Sequence, residues 1–239
     1  MIDFYYWPTP NCWKVSIMLE ECGFKYRPIP VDINTGEQFS PEFLAVSPNN
    51  RVPVIVDRGC DGPPLSVFES AAILVYLAQC SGRFIPVDDA GRRETLEWLF
   101  WQAGSLGPMA GQHSHFHNYA PGKESYARHR YAGEYNRCLG VLERRLVDRE
   151  FILGQYSIVD MACWPLVLIA PKVSQPLDEF PNVFRWRLAI KERSAVRAGV
   201  DLGKELRHPT APTAEQREVL FNQTAQTVIA QHDKRKTGR

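Results

Sequence analysis

The chain has no long apolar run, no closely paired cysteines and almost no net charge, and each shortage excludes a class of protein. None of its 239 residues belongs to an apolar stretch approaching the roughly 20 residues that a membrane helix needs. The N-terminus also lacks the basic-then-apolar profile of a secretory signal, so a cytoplasmic location is expected. Lys and Arg number 28 against 27 Asp and Glu, a net +1. That balance provides no field to attract nucleic acid or an acidic membrane. The six cysteines, at 12, 22, 60, 80, 138 and 163, are too scattered for a disulfide framework or a zinc site and read as reduced thiols.

What is present is ordinary soluble-protein material. Hydrophobic residues make up 44% of the chain and charged residues 23%, enough for two small domains or one larger one. Ile2 to Tyr6 reads as a buried strand, with Tyr5 expected in the core and Tyr6 at the surface. Val15, Met18, Leu19 and Cys22 then fall on one helical face, and Gly23 stops the helix. Tyr26 to Val31 suits a second strand, which Pro28 and Pro30 push to a sheet edge. Ser40-Pro41-Glu42 starts a short helix by capping. Val52-Pro53-Val54-Ile55-Val56 is a strand whose proline makes it begin late or makes the peptide cis. Leu65 to Phe68 follows as a fourth strand and leads directly into a helix at Glu69-Ser70. This order requires a mixed sheet.

Residues 81–90 read as a linker, and everything beyond is helical in pattern. Leu96, Leu99, Phe100 and Ala103 mark an apolar face on a helix that Gly104 and Gly107-Pro108 should interrupt. Tyr126 to Leu146 forms another helix. Ser157 and Asp160 have capping-box spacing. Val183 to Ile190 and a weaker segment near Ala195 to Leu206 complete the bundle. Residues 207–239 form a polar tail whose basic end is expected to fray.

Trp7-Pro8-Thr9-Pro10-Asn11-Cys12 lies between the first strand and the first helix. A strand entering a helix leaves first-turn N–H groups unpaired at the positive end of the dipole, which attracts an anion. Thr9 offers a hydroxyl there and Asn11 an amide, and Thr9-x-x-Cys12 occupies the frame of a C-x-x-C motif. Turn-and-cap chemistry alone would also select Pro, Thr and Asn. Likewise, Glu69 and Ser70 by themselves are suited to capping a helix. The spacing of His113, His115 and His117 does not gather their side chains on one helix face. No metal is expected there, and a polar active-site rim or subunit contact fits better.

Val52-Pro53 before a strand, Glu69-Ser70-x-Ala72-Ile73 at a helix start and the Ser157–Asp160 box together resemble the soluble glutathione transferase family, over residues 1–206. Pro8-Thr9-Pro10-Asn11, Ser47-Pro48-Asn49-Asn50 and Trp98-x-x-Trp101-Gln102 with Gly107-Pro108-Met109 look like its nu-class, disulfide-bond oxidoreductase subgroup. The resemblance implies a thioredoxin-like α/β domain over 1–80, an all-α domain over 91–206 and a homodimer.

It also implies a site. Glu69 would pair with the γ-glutamyl amine of glutathione, and Ser70 would receive its carboxylate at the helix N-terminus. Val52, beside Pro53, would offer backbone groups to the cysteinyl peptide. Gln38 would reach the glycyl end, with Arg51 or Lys14 adding charge and Arg130 approaching from the arginine-rich helix. Thr9 and Asn11 would stabilise the glutathione thiolate as catalytic residues. Cys12 departs from the usual pattern of the subgroup and falls where thioredoxins keep a buried cysteine. The implied activity is reduction of a small disulfide with bound glutathione as the thiol and co-substrate. The alternatives are conjugation of glutathione to an electrophile, or a regulatory scaffold without catalysis.

Overall fold

The computed structural model describes residues 1–59, 62–120, 122, 125–207, 212–226 and 228–229. Its first part has a four-stranded sheet in the order β2-β1-β3-β4, built from β1 (Ile2–Tyr6), β2 (Tyr26–Pro30), β3 (Val54–Asp57) and β4 (Leu65–Phe68). β1 pairs parallel with β2, and the β1–β3 and β3–β4 pairs are antiparallel. The parallel pair follows from the crossover through α1 (Pro10–Cys22). β2 lies at an edge, where Pro28 and Pro30 leave few ladder donors unmet. Both anticipated effects of Pro53 occur together: the Val52–Pro53 peptide is cis and β3 begins at Val54. α2 (Pro41–Leu44) is capped by Ser40, whose hydroxyl accepts the Phe43 N–H at 3.2 Å.

The assignment of the two tyrosines is reversed. Ile2, Phe4 and Tyr6 point into the main core, and Tyr6 is buried. Tyr5 points to the opposite face, half-buried against Phe43 of α2. A central strand covered on both faces has no surface side to read from alternation.

The helical part contains α3 (Ser70–Ser81), α4 (Asp89–Trp101), α5 (Gly107–Asn118), α6 (Ser125–Arg145), α7 (Ile158–Leu168), α8 (Pro181–Lys191) and α9 (Ser194–Asp201). α4 and α5 are not separated by a break. A π-helical turn over Gln102–Leu106 joins them, and Gly107 and Pro108 sit in the first turn of α5. Of the apolar face anticipated on α4, only Leu99 is buried, while Leu96 and Phe100 are exposed. Ser157 and Asp160 make the reciprocal capping box at the start of α7. Asp160 also accepts the Ile152 N–H and the Trp186 indole N–H, tying α7 to α8. α9 crosses α1 at backbone contact: a Cβ on Gly199 would lie 2.7 Å from the Ile17 nitrogen. At the same crossing the Ser16 hydroxyl donates to the Gly199 carbonyl at 2.7 Å.

Residues Ala214–Phe221 form a further helix, α10, with a capping box between Thr213 and Gln216. The basic end, with Lys234, Arg235, Lys236 and Arg239, lies outside the described residues, as does Cys60. Among the described residues no helix is long and apolar enough to cross a membrane.

Candidate functional site

β1 delivers the chain to Thr9, the N-cap of α1. Thr9 has an extended backbone and its hydroxyl does not cap the helix. Pro10 at the first helical position has no N–H to leave unpaired. Asn11 is exposed at the mouth of a cleft of about 490 Å³, whose lining also includes Thr9, Glu69 and Ser70. A second cavity of about 250 Å³ adjoins it, lined by Asn11, Asn49, Arg51, Val52, Pro53, Phe68, Glu69 and Ser70. Seven of the nine residues anticipated for the site therefore converge on two touching cavities: Thr9, Asn11, Arg51, Val52, Pro53, Glu69 and Ser70.

Glu69 stands at the head of α3 in the left-handed region, with φ 69°. A non-glycine residue pays for that conformation. Its side chain does not cap α3. Instead the carboxylate projects to the cavities, where Asn49 Nδ2 donates to Oε1 at 3.4 Å. The Arg51 loop is held by Ser47, whose buried hydroxyl donates to the Arg51 carbonyl at 2.9 Å. Ser70 Oγ accepts from Lys14 Nζ at 3.4 Å.

Two anticipated residues do not join this set. Gln38 is buried, with Nε2 donating to the Ile33 carbonyl at 3.1 Å and Oε1 without a partner. It braces a loop whose Ile33 and Asn34 line a third cavity of about 610 Å³, and is itself absent from that lining. Arg130 is 58% exposed on α6 and pairs with Glu134 at 2.9 Å.

Cys12, in the first turn of α1, is sealed at 1% exposure. Burial pushes its thiol up to about 11, although the Thr9 hydroxyl, the Trp7 N–H and Lys14 act in the other direction. A thiol in that state does not ionise near neutral pH and is a poor nucleophile.

Of the opposite wall of the cleft, the sequence points only to the histidine stretch, as a rim, and misses Tyr119 and Phe221. His115 of α5 and Tyr119, just after its end, line that wall together with Phe221 of α10. The Phe221 ring lies 4.8 Å from that of His115 and 5.4 Å from that of Tyr119. Nothing local marks Phe221, which arrives from the far end of the chain. His113 and His117 share one face of α5, with ring centroids 6.0 Å apart: His113 is buried against the Val173 carbonyl at 2.7 Å, and His117 meets the Ser174 hydroxyl at 3.3 Å, while His115 turns to the cleft. Among the described residues no group of three or more His, Cys, Asp and Glu is placed to hold a metal ion.

Residues 2–79 match the family described as Glutathione S-transferase, N-terminal domain. The chain is 47% identical over 198 residues to the disulfide-bond oxidoreductase YfcG of Escherichia coli, covering 82% of this chain and 92% of that one. A glutathione transferase from Burkholderia graminis, with two glutathione molecules bound per subunit, superposes with a TM-score of 0.80 at 48% identity. That match covers 85% of this chain and 88% of the other. A glutathione transferase from Pseudomonas putida, with one glutathione disulfide bound per subunit, gives 0.82 at 41% identity, covering 84% and 91%. The chain belongs to the glutathione transferase family.

Proposed function

We propose that this protein is a glutathione-dependent disulfide-bond oxidoreductase, with bound glutathione as the reacting thiol. The observation that carries the proposal is the state of Cys12: the cysteine beside the cleft is buried and its thiol is held neutral. The attacking sulfur must then come from the ligand. In this reading Glu69 and Ser70 hold the two charged groups of the γ-glutamyl end. Val52 offers its backbone groups to the cysteinyl peptide beside Pro53, and Arg51 adds charge. Thr9 and Asn11 donate to the cysteinyl sulfur. We assign Gln38 an indirect role, bracing the loop toward the glycyl end, and Arg130 none within its own subunit.

The bound thiolate attacks one sulfur of a small disulfide, the S–S bond breaks, and the leaving thiolate takes up a proton. A second glutathione thiolate then attacks the mixed disulfide. Glutathione disulfide and the second reduced thiol are released. Two glutathiones are consumed for each disulfide reduced, and no oxidation state changes on the protein. That YfcG is a disulfide-bond oxidoreductase, and that the Burkholderia and Pseudomonas structures hold two glutathiones or their disulfide, supports this reading.

The proposal assigns glutathione binding to residues 1–80, the wall for the second substrate to residues 91–206, and 81–90 to the connection. It describes a cytoplasmic homodimer, for which exposed Leu96 and Phe100 supply apolar surface. A second reading has one specific observation in its favour. The aromatic wall of His115, Tyr119 and Phe221 suits a flat aromatic electrophile, to which the same thiolate would be conjugated.

The deciding experiment is an activity panel with glutathione, pairing a small alkyl disulfide with a chloronitroaromatic acceptor. Fast reduction with feeble conjugation is expected. The reverse result would establish the conjugating enzyme, and silence on both would leave a scaffold.

A further inference from the structure

A lysine ammonium removed from water ordinarily has a carboxylate for company. Lys14, in the second turn of α1, is 2% exposed. Among the described residues no carboxylate lies within ion-pair distance of it. Its Nζ has one neutral acceptor, Ser70 Oγ, at 3.4 Å. It also lines the cleft beside Glu69 and Ser70.

The groups bearing on its charge come from three elements: Cys12 of α1, Cys163 of α7 and Glu69 at the head of α3. Burial raises both thiols and keeps them neutral. Glu69 is exposed, and its carboxylate is engaged by Asn49. Burial in this setting depresses the lysine to about 8, against an upward pull from all three groups.

Three features therefore meet at one point: the N-terminus of the twelve-residue helix α3, the Ser70 hydroxyl and the buried cation behind it. All of them favour a carboxylate. We propose that Lys14 is the buried counter-charge for the α-carboxylate of the glutathione γ-glutamyl group, a positioning residue that acts through Ser70. The inference rests on the glutathione reading above. While Lys14 is protonated it donates to Ser70 Oγ, so the Ser70 O–H is free to point at the ligand carboxylate. A neutral lysine amine would accept that same O–H and withdraw it from the site. By linkage, a bound carboxylate holds the proton on Lys14 and raises its pKa.

The first test uses the unaltered full chain with lysine labelled by carbon-13 at Cε, titrated alone and with S-methylglutathione, which has no ionisable thiol. The Lys14 resonance should titrate near 8 in the free protein and move up by about one pH unit or more with ligand bound. Identical titrations in the presence of calorimetrically measured binding would overturn the proposal. Absence of any binding would remove the glutathione reading itself, and this inference with it.

The second test is Lys14→Met, measured with S-methylglutathione and with an analogue carrying 4-aminobutyrate in place of the γ-glutamyl group. The analogue keeps the amine and lacks the α-carboxylate. Affinity for S-methylglutathione should fall about tenfold or more, while the analogue binds parent and variant alike. Equal losses for both ligands would mean that Lys14 only supports the fold, and would overturn the proposal.

Discussion

The backbone N–H of Trp7 donates to the Sγ of Cys12 at 3.5 Å, closing the turn between β1 and α1 around a buried thiol. This contact makes Cys12 part of the scaffold beneath Thr9. Cys12→Ser should therefore keep most of the disulfide reductase activity while losing about 1–3 kcal/mol of stability, because a hydroxyl replaces a thiol in an apolar site. Turnover assays and denaturant unfolding check the two halves. A protein–glutathione mixed disulfide trapped at Cys12, with activity lost in the serine variant, would replace the proposed mechanism by a cysteine-based one.

Glu69 combines a strained backbone with a ligand-facing carboxylate. Glu69→Ala should weaken glutathione binding by roughly 1.5–3 kcal/mol, since one half of a charge-assisted pair is lost. Glu69→Gly should bind as weakly. It should also be more stable than the alanine variant by about 1 kcal/mol, because glycine carries no penalty at φ 69°. Calorimetry on both variants, with thermal unfolding alongside, separates the role of the carboxylate from that of the backbone.

Thr9 and Asn11 are proposed to make the thiolate. A free cysteine thiol has a pKa of about 8.5 and ionises little at neutral pH. Two donors and a helix N-terminus lower it, and one pKa unit corresponds to about 1.4 kcal/mol. Replacing Thr9 by Val together with Asn11 by Ala should raise the pKa of bound glutathione by about one unit or more, with binding largely retained. The thiolate absorbance of bound glutathione against pH is the measurement. Coincident curves for parent and double variant would exclude both side chains from activating the thiol.

Asp3 supplies a pH-dependent element far from the cleft. It is fully buried in β1 and pairs with Arg27 at 2.9 Å and Arg58 at 2.6 Å. Burial raises its pKa, but hydrogen bonds and charge from the two arginines outweigh that and hold it below the usual range. A depressed folded-state pKa gives stability that is present above the unfolded value of about 3.9 and is lost as pH falls through the folded one. Asp3→Asn should therefore cost roughly 1–3 kcal/mol near neutral pH, moderated because both arginines are half exposed. The gap between variant and parent should close in acid, below about pH 4. Unfolding free energies across that range give the answer.

Features set by neighbouring residues could be read from the sequence alone. Pro28 and Pro30 cannot donate to a ladder, and β2 is an edge strand. The Ser157–Asp160 box needs only its own turn, and it forms. Pro53 constrains its own peptide and delays its own strand. Tertiary structure decided what depends on the element that covers a side chain. The phase of Tyr5 and Tyr6 could not be read because β1 is covered on both faces. Gln38 turns inward to the Ile33 carbonyl because that loop folds back over it. Lys14 follows Asn11 by one helical turn, which places it toward the cleft. Its burial, however, required α3 and α7 to close around it. Phe221 reaches the cavity that holds Thr9 only because α10 packs its ring on His115 and Tyr119, a contact between segments about a hundred residues apart.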